Sequence, residues 1–149
     1  MKTTIGYSKT LFLTVASMLC FAGNAQKRNI PLTQLPANAQ SFIKTNFPNQ
    51  ATTYIIEDKD IVETEYKVIF SSGVEVEFNG KGNWEEIEAN KTILPNTIYP
   101  KAIADYIAKN YKGHTVDKFE KKHGGFNLEF TNDLELEFDA SGKFLRIDN

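Results

Sequence analysis

Glutamates recur at alternate positions in two stretches, Glu75 and Glu77 within VEVEF and Glu135 and Glu137 within LELEF. Carboxylates held side by side are the raw material of acid–base hydrolysis, where one is protonated while its neighbour stays ionised. That chemistry also needs a substrate pocket and accessory groups, and no other motif supplies them. A strand face turned to water gives the same alternation, with lysines needed nearby because like charges on neighbouring strands repel. His114 and His123 lie near opposite ends of one predicted strand, too far apart at about 3.3 Å per residue to share a metal. The turn NGKGN at 79–83 lacks both the lysine-threonine pair of a phosphate loop and the acidic ligands of a calcium loop. No serine occupies a nucleophile elbow. The expectation is a protein that is not an enzyme, with no cofactor and no metal site.

The single cysteine, Cys20, belongs to the leading segment. There Lys2 and Lys9 precede the apolar run from Leu11 to Ala22, and small residues close it, the pattern of a secretory signal cut after Ala25. The run is too short for a stable membrane anchor. Leu19 stands where a lipid-attachment cysteine needs a small residue, which disfavours lipidation of Cys20. Cleavage leaves 124 of the 149 residues, without a thiol, so disulfides and thiolate chemistry are excluded. It also leaves 15 basic residues against 19 acidic ones, a net charge of −4. Nucleic acid is an unsuitable partner for such a chain. The expected location is the periplasm or the medium.

An internal echo organises the remainder. IPLTQLP at 30–36 matches LPNTIYP at 94–100, and FIKTNF at 42–47 matches YIAKNY at 106–111, both at a shift of 64; Phe78 matches Phe138 at a shift of 60. Four residues are thus missing from the second stretch, and a loop between its first two strands is where the loss costs least. Ala39, Phe42, Ile43 and Phe47, like Ile103, Tyr106, Ile107 and Tyr111, form one helical stripe after a proline. Pro48 stops the first helix and Gly113 the second. The period then drops to two, predicting strands at about 52–58, 63–71, 74–79, 84–89, 115–122, 126–131, 133–139 and 143–148. The fold class predicted is α+β: two helix-plus-four-stranded antiparallel units forming a curved sheet with both helices on one face. The organisation predicted is a signal peptide at 1–25, a first unit at 26–89, a linker at 90–96 and a second unit at 97–149.

Strand alternation places Val74, Val76 and Phe78 with Val68 and Phe70 under the helices, and likewise Leu134, Leu136 and Phe138 with Leu128 and Phe130. Glu75, Glu77, Glu135 and Glu137 then face water. Counting from Ile87 and Ile147 as inward residues puts Trp84, Glu86, Phe144 and Arg146 on that same open face, unless a bulge at the shared glycine, Gly82 or Gly142, resets the parity. With Ile55 inside, Tyr54 and Ile56 point outward. Aromatic and arginine side chains on a polar face suit protein recognition. The candidate partner-binding residues are therefore Tyr54, Glu75, Glu77, Trp84, Glu86, Glu135, Glu137, Phe144 and Arg146.

Leu-Pro opening a helix, the Phe47-Pro48 close and VEVEFNGKGNWEEIE together resemble the PepSY-like exported proteins, a family described as similar to the beta-lactamase inhibitor protein. The resemblance runs from Pro31 to Asp148. It implies a tandem fold and a binding or inhibitory role; the lactamase inhibitor is held by disulfides, for which this chain has no cysteines after cleavage. The function expected is an exported binding protein recognising a protein or peptide of the cell envelope through the open sheet face. A periplasmic carrier of small ligands or peptides is the alternative, and it requires a concave apolar pocket.

Overall fold

The computed structural model describes residues 26–148; the expected signal peptide and Cys20 lie outside them. Among the described residues nine strands follow one another in a single antiparallel sheet, each hydrogen-bonded to the next in chain order. They are β1 (Gln26–Asn29), β2 (Thr52–Lys59), β3 (Thr64–Phe70), β4 (Glu75–Asn79), β5 (Trp84–Glu88), β6 (Val116–Lys122), β7 (Gly125–Phe130), β8 (Glu135–Asp139) and β9 (Phe144–Asp148). Helix α1 (Ala37–Asn46) lies between β1 and β2, and α2 (Lys101–Asn110) between β5 and β6. The fold is α+β, an open antiparallel sheet with two helices.

Pro36 and Pro100 are the residues just before the helices, where a missing N–H costs nothing. Each helix packs its aromatic stripe on the sheet. Phe42 meets Phe78 edge-on at 5.7 Å, and Tyr106 meets Phe138 in the same way at 5.6 Å. Phe47 and Tyr111 close the two helices against Phe70 and Phe130. Beneath them Ile55, Val68, Val76, Ile87, Phe119, Leu128, Leu136 and Ile147 stand in one continuous cross-strand row. All are buried except Ile147, which keeps 46% of its surface because β9 is the sheet edge.

The sheet is continuous because Ile87 pairs with Phe119 and Glu88 with Lys118, joining β5 to β6 despite the helix between them. At the other edge, β1 was not expected from the sequence. Its residues QKRN carry no apolar alternation, and they are held by Lys27–Asp58 (2.9 Å) and by Arg28 donating to Glu57.

Gly82 and Gly142 occupy the left-handed region, with φ of 76° and 81°. They have a second constraint. A Cβ on Gly82 would stand 2.7 Å from Pro36 Cβ, and one on Gly142 would stand 3.1 Å from Ala102 Cβ, so each hairpin tip is pressed against a helix start. The four-residue difference between the two stretches falls at the first hairpin. There Asp60 Oδ1 accepts from the backbone N–H of Val62 and Glu63 in a wider turn, whereas β6 and β7 are joined by His123 and Gly124.

Candidate functional site: the carboxylate face

Side chains that alternate with the buried row emerge on the face without helices, and the register lines them up. One row runs Ile56, Lys67, Glu77, Glu86, Glu120, Asn127, Glu137, Arg146 from β2 to β9. The next runs Tyr54, Ile69, Glu75, Glu88, Lys118, Glu129, Glu135, Asp148 over the same strands. Acidic residues outnumber basic ones in both rows.

Few cations offset them. Lys67 Nζ reaches Glu77 at 2.8 Å and Glu75 at 3.2 Å, and its pKa is raised, first by the Glu77 hydrogen bond. Lys118 pairs with Glu86 at 2.8 Å, Lys122 with Glu120 at 2.7 Å, and Arg146 with Glu137 at 3.0 Å. Asn127 Nδ2 donates to Glu135 at 3.1 Å. Glu88 and Glu129 are held above the usual carboxylate range, by partial burial first and then by neighbouring carboxylates: Glu86 and Glu75 around Glu88, Glu135 around Glu129.

Of the residues expected to line it, Tyr54, Glu75, Glu77, Glu86, Glu135, Glu137 and Arg146 stand on this face, Tyr54 with 56% of its surface exposed. Trp84 and Phe144 do not. A bulge sets Glu77 opposite Glu86 but Phe78 opposite Trp84, and another sets Glu137 opposite Arg146 but Phe138 opposite Phe144. Glu85 and Leu145 absorb the extra position, so both aromatic rings return to the helix side. Trp84 packs 5.2 Å from Phe119, 6.1 Å from Phe42 and 6.4 Å from Phe126, with Lys121 Nζ 4.2 Å from its ring centre. Phe144 stacks on Tyr106 at 4.8 Å. The expected aromatic anchors are packing residues.

Lys67, Glu88, Lys118, Glu120 and Glu129 belong to the face and were not singled out from the sequence. The same parity count from Val68, Ile87, Phe119 and Leu128 would have found them. Among the described residues no group of three or more histidine, cysteine or acidic side chains is arranged to hold a metal ion. No described helix is long and apolar enough to cross a membrane.

This sheet with its two helices defines a class that comparison makes specific. The model of a family described as "Putative beta-lactamase-inhibitor-like, PepSY-like" matches residues 23–67 and again 64–146, so the chain belongs to the PepSY-like family. Among solved structures it is similar to a protein of Bacteroides thetaiotaomicron described as a putative calcium-regulated periplasmic protein. Identity is 36%, over 83% of this chain and 97% of that one, with a TM-score of 0.76. A Bacteroides vulgatus periplasmic protein of unknown function is 35% identical over 83% of this chain and all of its own, with a TM-score of 0.75. A second from Bacteroides vulgatus is 33% identical, with a TM-score of 0.74. No curated protein matches the chain. Its location is periplasmic, as for these relatives.

Proposed function

We propose that this is a non-enzymatic binding protein that recognises a basic protein or peptide of the cell envelope through its carboxylate face, inhibiting that partner where the covered surface is an active one. In this reading the chain works as two units, 26–89 and 97–149, each a helix followed by four strands, with β1 added at the outer edge of the first, and their open faces lie side by side. The observation that carries it is the excess of carboxylates over cations in two rows that cross the sheet, with Glu88 and Glu129 displaced upward in pKa. A rigid sheet that tolerates such crowding is matched to positive charge arriving from outside.

Titration with decalysine tests it. Saturable binding that weakens steeply with added salt is expected, and Glu77→Lys with Glu137→Lys should reduce affinity by roughly tenfold or more, since each reversal both removes an attraction and adds a repulsion. Affinity indifferent to those reversals would remove the face from consideration.

The relative described as calcium-regulated favours a second reading of the same carboxylates, which are hard oxygen donors. Here calcium would act as a counterion that competes with the basic partner. Equal displacement of decalysine by calcium and magnesium supports that role, and selective displacement by calcium would require a chelating site instead.

A further inference from the structure

Each helix leaves a groove between itself and the first strand that follows it, and the two grooves correspond at the shift of 64. The first, of about 920 Å³, is lined by Leu32, Gln40, Ile43, Lys44 and Gln50 among others. The second, of about 370 Å³, has Asn96, Ala104, Ile107, Ala108 and His114 at the matching positions. The substitutions between them change the chemistry of the floor. In the first groove the Gln40 amide donates to the carbonyls of Leu35 (2.7 Å) and Thr33 (3.4 Å), so the turn before α1 is satisfied from within. At position 104 an alanine replaces that amide and donates nothing to the corresponding carbonyls, those of Tyr99, which lines the second groove, and of Thr97, which does not. Lys44 is likewise replaced by Ala108, so no lysine, arginine or acid lines the second groove.

The remaining wall is aliphatic, from Leu94, Ile107 and Val116, and Ile93 lies at the mouth with 84% of its surface exposed. An isoleucine that open to water gains on being covered. Tyr99 adds a phenol to the lining, held neutral by burial alone.

We propose that the groove between α2 and the start of β6 is a binding site for a small, uncharged aliphatic molecule with an amide head, the head replacing the missing glutamine amide and the chain covering Ile93. A lining without lysine or arginine disfavours carboxylates, because a charge there is desolvated with only the His114 imidazole to meet it. The volume falls in the range of small-molecule sites and admits a short chain. The site is separate from the carboxylate face, being on the helix side of the sheet, so its success or failure leaves the proposal for that face untouched.

Methyl NMR of the protein with hexanamide as probe tests it. Saturable shifts are expected at Ile93, Ile107, Ala108 and Val116, with Ile43 in the first groove unmoved, and hexanoate should bind more weakly than hexanamide. Ala104→Gln restores the first groove's own amide and should weaken hexanamide by roughly tenfold, the worth of one displaced hydrogen bond with its space. Glutamine is a good helix former, and Ala104→Leu provides an independent block by filling the same space without an amide. Absence of saturable shifts, equal shifts at Ile43, or undiminished binding in both variants would overturn the proposal.

Discussion

Trp84 and Phe144 fill the same slot of the same hairpin, follow glycines in the same left-handed conformation and sit beside the same kind of bulge, yet they stand in different surroundings. Trp84 lies where β5 meets β6, in the middle of the nine strands, and touches Phe42 from α1 together with Phe119 and Phe126 from the following hairpin. Phe144 lies on β9 at the edge, and its aromatic neighbours are Tyr106 and Phe138. The larger ring sits at the seam, where the second hairpin supplies a wall that the edge strand does not have. One local motif thus joins two halves at one place and finishes a sheet at the other.

The largest effect expected on that contrast is from Trp84→Ala. Removing the ring at the seam should cost about 3 kcal/mol, and Phe144→Ala at the edge about 1.5 kcal/mol, measured by urea unfolding. Equal losses would mean that the seam carries no more packing than the edge. Next come the glycines. Gly82→Ala should cost about 2 kcal/mol and Gly142→Ala about 1 kcal/mol, since both pay for positive φ and only Gly82 would bring a Cβ within 3 Å of both Pro36 and a backbone nitrogen, that of Ala39. Reversal of that order in thermal melts would show that the first hairpin tip can withdraw from α1.

A smaller effect concerns pH. Glu65, Glu88 and Glu129 have folded pKa values raised above the usual glutamate range, so the folded state holds their protons more tightly than the unfolded chain does. Their contribution falls as pH rises from the unfolded value through the raised folded value, and it returns on acidification. Glu57 runs the other way. The Arg28 hydrogen bond lowers its pKa, so its contribution is present above the ordinary value and lost as pH falls through the lowered one. Melting temperature should therefore peak on the acidic side of neutrality, and Glu88→Gln with Glu129→Gln should raise it at neutral pH and flatten the profile. The same pair should weaken decalysine binding several-fold, a trade of partner attraction for stability. A double variant that loses melting temperature at neutral pH would show that those carboxylates are paired favourably and not crowded.

Most of the fold could be read from period and punctuation. Val74, Val76 and Phe78 against Glu75 and Glu77 assign two faces without any tertiary information, and the prolines before each helix with the stripe from Ala39 to Phe47 assign the covering layer. Reading failed where the pattern is not periodic. QKRN has no apolar residue to alternate, so β1 depends on ion pairs with a strand some thirty residues away. Trp84 and Phe144 failed for a related reason, because counting in twos assumes one residue per register step.

What the sequence determined by itself is whatever depends on neighbours along the chain: two helices, the later strands, the glycine turns and the separation of acids from aliphatics, since backbone geometry fixes the direction of consecutive side chains. What only the tertiary structure decided is how those pieces count against each other. A bulge is a mismatch between two strands and has no meaning within one, so the face taken by Trp84 and Phe144 was settled by pairing with Phe78 and Phe138. The union of β5 with β6, which turns separate carboxylate rows into one continuous face, likewise exists only once Ile87 lies against Phe119 and the buried row is complete.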